Sequence, residues 1–376
     1  MLCCAKGDEH MRLVSIYNCE VGLELAKPIY DENARILLNS GTVLNEAFIN
    51  RLKSKKISHI YIKSEVTENL EVEDNISQEL RLKTTSTLTN VFDLIAKGKS
   101  GNSHALARVK GVHQVKNSVQ EILQELRASK NLLNLLSHLQ VNQDSLFEHA
   151  LHTCLYSLSI GKYMGINEKE LNLLGLGALF HDIGKLELPH KLLIKEKLNA
   201  EEKELLQKHT EYGFEMLRKV HDLHLVISHC AYQHHENVDG TGYPRGLKNE
   251  DIHLHARIVA VANQFDKLIR QKGMLPHEAM EILWGYCYTK YDRQVIEAFR
   301  QSVAIYPIGV TVLLNTGEMG VVVGYNKLAP QRPNVRVFLD ANGKKVTNFY
   351  DIDLMKELSV MIVKCDAIIE RASSTN

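Results

Sequence analysis

Histidine and aspartate, residue types that bind metal ions and transfer protons, are concentrated in the middle of this chain. The sequence contains 18 histidines among 376 residues, and many of them fall between positions 149 and 255. His181 and Asp182 stand side by side at the end of an apolar stretch. A carboxylate can bridge two cations through its two oxygens while a histidine supplies a terminal nitrogen. Such a pair of ions would activate a bridging water for attack on a phosphate.

The spacing of further histidines strengthens this interpretation. A His-Asp pair alone is weak evidence, since His221-Asp222 repeats it elsewhere in the chain. His149 lies on the preceding predicted helix and His209 on a later one. His234-His235 then opens a run that ends in Gly-Tyr-Pro at 242–244. This arrangement predicts ligands gathered from several helices around one centre.

The ordered motifs resemble those of the HD-GYP phosphodiesterases. The resemblance rests on HDIGK at 181–185, KH at 208–209 and HHENVDGTGYPRGL at 234–247, and it covers roughly residues 145–300. It implies a helical domain that holds two or three metal ions, often iron or manganese, and hydrolyses cyclic di-GMP to pGpG or GMP. Cyclic GMP-AMP is an alternative substrate, because the same site would serve both.

The resemblance also implies individual roles. The positions that match the family's metal ligands are His149, His181, Asp182, His209, His234 and His235. Asp182 would bridge the ions, and Lys185 and Tyr243 match positions that contact substrate phosphate. Asp182 and Lys185 are therefore the candidate catalytic residues. Gly242 belongs to the predicted substrate-binding turn, and with Pro244 it would shape the presentation of Tyr243.

Two departures from the family pattern follow the Gly-Tyr-Pro motif. Asn263 stands where members carry a ligating Asp; an amide oxygen can coordinate a cation but brings no negative charge. Asp266 matches a second, structural Asp and is not expected to replace the missing ligand. The family's following arginine has no clear counterpart, although Arg270 and Lys272 lie nearby and are candidates for substrate binding.

The expected number of ions is two. Members with a third ion carry a Glu one helical turn before the first histidine, where this chain has Ser145, and Glu148 is expected to face elsewhere. The expected cofactors are thus two divalent ions, iron or manganese. His152 lies one turn from His149 but matches no ligand position, so we expect an ordinary hydrogen-bonded residue.

The predicted fold is mainly α, with an HD-type helical catalytic domain flanked by a small N-terminal α+β module and a small C-terminal β extension. The predicted domains are residues 1–65 (α+β module), 66–140 (helical linker), 141–301 (HD-GYP domain) and 302–376 (β extension and tail). Within the linker, 97–103 reads as a loop. Apolar periodicity then predicts a helix over about 112–139, which would pack on the next domain or form a homodimer.

Hydrophobic periodicity gives a chain of helices and then strands in the second half of the sequence. The predicted helices are 145–164, 168–180, 200–217, 226–235, 253–269, 276–286 and 292–301. The predicted strands are 311–314, 320–324 and 335–339, separated by turn-forming residues. Helices that end near the candidate ligands would position them.

The composition limits the classes of partner. Lys plus Arg equals Asp plus Glu at 45 each, which argues against a surface for polymeric nucleic acid or for anionic membranes. The seven cysteines lack CxxC spacing and favour reduced thiols. No apolar run approaches the ~18 residues of a membrane helix, and no secretion signal is recognisable. We therefore expect a cytoplasmic protein whose partner is a cyclic dinucleotide; apart from the homodimer considered above, the sequence does not identify a protein partner.

Two classes of function remain open at this stage. The first is hydrolysis by the metal centre. The second is a degenerate domain that binds a cyclic dinucleotide or a protein without turnover, which Asn263 and the missing arginine favour.

Overall fold

The computed structural model describes residues 11–30, 36–55, 57, 59–67, 75–96, 102–129, 133, 146–195, 197–326 and 328–365. The chain divides into two compact units. The first comprises residues 1–74, 134–143 and 304–376, and the second comprises residues 75–133 and 144–303. Ser145 lies outside the described residues, as do 97–101 of the predicted loop and 134–139 of the predicted linker helix.

The first unit begins with a small α+β arrangement. Its strands are β1 (Met11–Ser15), β2 (Ile29–Tyr30), β3 (Ile36–Leu38) and β4 (His59–Lys63), paired antiparallel as β1–β4 and β2–β3. Helix α1 (Glu46–Ser54) begins where the Asn45 side chain accepts a hydrogen bond from the Phe48 N–H at 2.8 Å, which satisfies one otherwise unpaired backbone donor. Its Ile49 and Leu52 are buried and anchor the helix in this core.

The C-terminal residues of the same unit form one antiparallel sheet in the order β8-β7-β6-β5-β9. Its strands are β5 (Thr311–Leu314), β6 (Met319–Gly324), β7 (Asn334–Leu339), β8 (Lys345–Asp353) and β9 (Ile362–Cys365). The Leu13 N–H donates to the Gly309 carbonyl at 2.8 Å, so the beginning of the chain contacts this C-terminal part. The predicted small C-terminal sheet is confirmed.

The second unit is helical. Its helices are α2 (Gln78–Ala96), α3 (Asn102–Ala128), α4 (Leu146–Tyr163), α5 (Glu168–Phe180), α6 (His190–Leu193), α7 (Ala200–Gln207), α8 (His209–Leu217), α9 (Leu225–Gln233), α10 (Leu254–Lys272), α11 (Pro276–Gly285) and α12 (Arg293–Ser302). Three buried rings join α4, α10 and α12: the Phe265 ring centroid lies 4.6 Å from that of Phe299 and 5.1 Å from that of Tyr156. The predicted mainly α fold class is confirmed. None of the helices in the described ranges is both long and apolar enough to span a bilayer.

Two predicted helices are wrong in extent. The helix expected over 112–139 begins ten residues earlier and ends at Ala128, because Leu133 instead forms an isolated β-bridge with Val303. The helix expected over 200–217 is divided at Lys208 into α7 and α8. The apolar face of α3 is buried and packs on helix α2 of its own unit. A homodimer through this region stays a prediction.

Helix ends bring the candidate ligands together. Helix α5 starts at the Asn167 side chain, which accepts from the Glu170 N–H at 3.1 Å, and its last turn delivers His181. A short 3-10 turn at 183–187 follows and lies close to the start of α8. A Cβ on Gly184 would stand 2.0 Å from the His209 carbonyl oxygen. Glycine is therefore required for this approach.

Candidate metal centre

The structure brings the six predicted ligands together in two groups. The His149 group contains His149, His181 and Asp182, and the His209 group contains His209, His234 and His235. Within each group the candidate ligand atoms all lie within 4.8 Å of one another. The residues come from α4, the end of α5, the first position of α8 and the end of α9. That they act as ligands remains a prediction, which their arrangement supports.

The carboxylate of Asp182 lies between the two groups. Its Oδ2 is 3.3 Å from His181 Nε2 and 3.6 Å from His149 Nε2. Its Oδ1 is 3.4 Å from His209 Nε2 and 3.6 Å from His234 Nε2. One oxygen thus faces each group, which is the arrangement that a carboxylate bridging two cations requires.

Backbone carbonyls orient three of the imidazoles. The Nδ1 contacts are His181 to Ala178 O (2.7 Å), His209 to Leu206 O (2.6 Å) and His234 to Ala231 O (3.0 Å). A carbonyl can only accept a hydrogen bond, so each Nδ1 carries the proton and each Nε2 presents a lone pair. This is the tautomer that a metal-binding histidine needs.

The fourth imidazole, that of His149, is oriented by side chains from α10. Its Nδ1 donates to Asp266 Oδ2 at 2.6 Å, and its Nε2 lies 3.0 Å from Asn263 Oδ1. Two lone-pair atoms at this separation do not hydrogen-bond to each other. They fit neighbouring ligands of one ion, since ligand distances of about 2.1 Å place adjacent ligand atoms about 3 Å apart. Asn263 is buried and adjoins the His149 group.

Burial keeps these histidines neutral. It lowers the pKa of His209 to about 3 and that of His234 to about 4. For Asp182, burial alone would raise the pKa, but Lys185 and His181 hold the pKa well below its ordinary value. His181 Nε2 and Asp182 Oδ1 are buried without a hydrogen-bond partner. Such orphaned acceptors are costly unless a cation satisfies them, so this donor set fits divalent ions.

Two lysines border the centre. Lys185 Nζ donates to Asp182 Oδ2 at 2.5 Å, and its side chain is partly exposed, so a ligand can reach the ammonium. Lys267 lies one turn after Asn263 on α10. Burial, followed by the positive charge of Lys185, lowers the pKa of Lys267 to about 8. Sequence reasoning assigned no role to Lys267, although its i+4 spacing from Asn263 placed it on the same helix face.

The Gly-Tyr-Pro turn lies against the His209 group. The Tyr243 ring stacks on His235 with centroids 4.7 Å apart and planes 16° from parallel. A Cβ on Gly242 would stand 2.3 Å from the Asn237 backbone nitrogen, so the turn needs glycine there. The structure therefore places Gly242, Tyr243 and Pro244 beside the centre, and their substrate contacts stay predictions.

Glu236 holds this turn in place, a role that sequence reasoning missed. Its buried carboxylate accepts from the Arg245 N–H at 2.8 Å and the Leu247 N–H at 3.0 Å. Charge-assisted bonds to backbone donors fix a loop firmly. In the sequence, only the position of Glu236 next to the paired histidines indicated a role at the site.

The two cations proposed to replace the family's arginine differ in their surroundings. Arg270 is buried, with a guanidinium nitrogen 4.0 Å from Asp266 Oδ2. Lys272 is exposed as the last residue of α10. Substrate binding by Arg270 and Lys272 stays a prediction.

The helical fold and the centre of histidines and a carboxylate define the class of domain, and comparison with known proteins identifies its family. Residues 127–295 match the HD domain family, and residues 311–374 match the KOW domain associated with HD domains. The chain is 30% identical to a cyclic di-GMP phosphodiesterase of Thermotoga maritima over 289 residues, which cover 74% of each chain. It therefore belongs to the HD-GYP family of HD-domain phosphodiesterases, as its motifs predicted.

Two further relatives show what varies within the family. A cyclic di-GMP phosphodiesterase of Pseudomonas aeruginosa is 32% identical over 233 residues, covering 60% of this chain and 56% of the relative. A 3'3'-cGAMP-specific phosphodiesterase of Vibrio cholerae is 36% identical over 143 residues, covering 37% of this chain and 27% of the relative. The chain thus spans little more than half the length of the Pseudomonas relative. Relatives with similar catalytic regions carry names that specify different cyclic dinucleotides.

Proposed function

We propose that this protein is a metal-dependent phosphodiesterase that hydrolyses cyclic di-GMP to pGpG, GMP or both. The proposed cofactors are two divalent ions, iron or manganese. The proposed ligands are His149, His181, Asp182, His209, His234, His235 and Asn263. The position of Asp182 carries this proposal, because its two oxygens face the two histidine groups separately.

Each part of the site has a task in this reaction. When bound, a pair of divalent ions lowers the pKa of a shared water and offsets the charge of the phosphate under attack. Asp182 and the neutral imidazoles would hold the ions. Lys185 and Tyr243 would hold non-bridging phosphate oxygens and stabilise the charge that develops on them. Burial of the centre strengthens these electrostatic contacts.

The choice of cyclic di-GMP rests on the relatives. The Thermotoga and Pseudomonas proteins are cyclic di-GMP phosphodiesterases, and the former aligns over the longest stretch of this chain among the relatives described above. Cyclic GMP-AMP is the alternative substrate, supported by the Vibrio relative. A cytoplasmic location likewise stays a prediction from the sequence.

A second candidate function is binding of a cyclic dinucleotide or a protein without turnover. Asn263 favours it, because its Oδ1 lies 3.0 Å from His149 Nε2 and contributes no negative charge. One ion would then be held more weakly than in members that carry Asp at this position. The two candidates share one site and differ in whether the bound dinucleotide is hydrolysed.

Metal analysis and turnover measured on the same preparation distinguish these candidates. The protein would be purified without oxygen, its iron and manganese content measured, and cyclic di-GMP and cyclic GMP-AMP each supplied as substrate. We expect two ions per chain and faster consumption of cyclic di-GMP. Binding of the dinucleotide without hydrolysis, at any metal content, would establish the second candidate instead.

A further inference from the structure

A buried charged network lies behind the His149 group and reaches helix α2. Arg81 of α2 has a side chain that is 0% exposed. One of its terminal nitrogens, Nη1, lies 3.1 Å from Glu148 Oε2 and 2.9 Å from His152 Nε2. The sequence analysis expected His152 to be an ordinary hydrogen-bonded residue and placed Arg81 in a helical linker without assigning it a role. The structure buries all three side chains.

The contacts continue from His152 to the metal centre. His152 Nδ1 lies 2.9 Å from Asp266 Oδ1, and Asp266 Oδ2 accepts from His149 Nδ1 at 2.6 Å. Asp266 therefore joins the two histidines, one on each carboxylate oxygen. A continuous path of side chains runs from Arg81 through His152 and Asp266 to His149.

The chemistry of the groups fixes the direction of every hydrogen bond along this path. Arginine can only donate, so His152 Nε2 must accept and His152 Nδ1 must carry the proton. That proton is donated to Asp266, whose ionised carboxylate only accepts. His149 Nδ1 must then donate as well, which leaves His149 Nε2 with a lone pair directed toward Asp182 and Asn263.

We infer that Arg81 is a positioning residue for His149, acting through His152 and Asp266. Helix α2 precedes the region that matches the HD domain, so a segment upstream of that region would help to form the metal centre. The inference deepens the proposed function by naming what orients one ligand. Loss of a hydrogen-bond partner of a metal-binding histidine typically weakens metal binding by about 10- to 100-fold.

The tautomer of His152 in metal-free protein tests the inference without reference to metal or turnover. Long-range proton–nitrogen correlation spectra of protein labelled with ¹⁵N-histidine report which ring nitrogen carries hydrogen. The His152 signal would be assigned from its loss in His152→Gln. We expect hydrogen on Nδ1 in the natural protein and a mixture of tautomers in Arg81→Met. Hydrogen on Nε2 in the natural protein would overturn the inference, even if the site proves to hold two ions.

Metal titration of the same variants measures the consequence. Mn²⁺ binding followed by calorimetry should show Arg81→Met weakening one of two binding steps about tenfold while leaving the other within about twofold. Adding His152→Gln to Arg81→Met should have little further effect, because both residues act on the same path. Additive losses, or equal weakening of both steps, would mean that Arg81 only supports the fold.

Lys83→Met provides a matched control on the same helix. Lys83 pairs with Glu121 of α3 at 2.7 Å, and both side chains are substantially exposed. Its loss removes one contact between α2 and α3 without touching the path to His149, so both binding steps should be unchanged. Should Arg81→Met fail to fold, Arg81→Lys retains the buried charge, and the tautomer of the natural protein still decides the question.

Discussion

The two groups of the site differ in how one imidazole is held. A distant side chain orients His149, whereas a backbone carbonyl three residues earlier in the chain orients each of His181, His209 and His234. In the His209 group, His209 and His234 donate to carbonyls three residues earlier in the chain, Leu206 O and Ala231 O. These bonds form wherever the local backbone takes its helical shape. In the His149 group, His149 depends on Asp266, a side chain 117 residues away in sequence.

This difference separates imidazoles that are oriented by the local backbone from one that is oriented by tertiary packing. Among the described residues, His209 Nδ1 is held by a carbonyl three residues away, which is not a hydrogen-bonded path from α2 or α10. A substitution on α2 or α10 has such a path to His149, through Asp266. Asn263, where the chain departs from its family, adjoins the same group. The orientation of His209 and His234 thus depends on the local backbone, whereas the orientation of His149 depends on how α10 packs.

The largest effect should come from removing the residues that join the two groups. His181→Ala combined with Asp182→Asn should abolish binding of both ions, because Asp182 faces both groups. The loss of affinity should exceed about 100-fold, the upper range for residues that merely support ligands. Metal content and cyclic di-GMP turnover measured on the purified variant check this expectation.

The chain contains its own control for that experiment. His221 and Asp222 repeat the same dipeptide on the surface, with side chains that are 83% and 74% exposed. The matched variant His221→Ala with Asp222→Asn should keep both ions and full turnover. Full occupancy in the variant at 181–182 would contradict the whole assignment, whereas loss of a single ion would show that Asp182 does not bridge.

A smaller, opposite effect is expected at Asn263. Asn263→Asp supplies a negative charge beside His149, so the ion of the His149 group should bind about tenfold more tightly, equivalent to about 1.4 kcal/mol. The ion of the His209 group should be unaffected. Mn²⁺ titration resolves the two steps, and turnover should rise as the weaker site fills.

Gln264→Glu is the control for Asn263→Asp. It adds the same charge one residue along α10, on a different face of the helix, and should leave both steps unchanged. If Asn263→Asp gains neither metal nor rate, the amide is not a ligand. An inert natural protein and an active variant would identify a receptor for the dinucleotide.

The fold was most predictable where local signals agree. The predicted helix 168–180 matches α5, because the Asn167 cap and an apolar run both mark it. The helix expected over 112–139 was extended too far, since the apolar period continues past Ala128 although Leu133 pairs with Val303. Strand β8 was missed because most of its residues are exposed and show no alternation of apolar and polar types.

The same distinction applies to the site. The order of the motifs predicted all six residues of the two groups, because residue types and spacing can be taken directly from the sequence. It could not find Arg81 or the role of His152, because their contacts with Glu148 and Asp266 exist only after α2, α4 and α10 have packed. The sequence therefore predicted which residues gather at the site, but not the tertiary contacts that orient them.

The smallest effect is expected for Tyr243→Phe, which should leave metal binding unchanged. The Phe ring can keep the stack on His235, so the His209 group should remain in place. The lost hydroxyl should slow turnover about tenfold or more, the value of one hydrogen bond to a charged group. Tyr232→Phe, which removes a hydroxyl from a ring stacked on Phe214 instead, should leave turnover unchanged. Loss of metal from Tyr243→Phe would mean that the turn supports the His209 group, and that this half of the centre is less self-contained than its backbone contacts indicate.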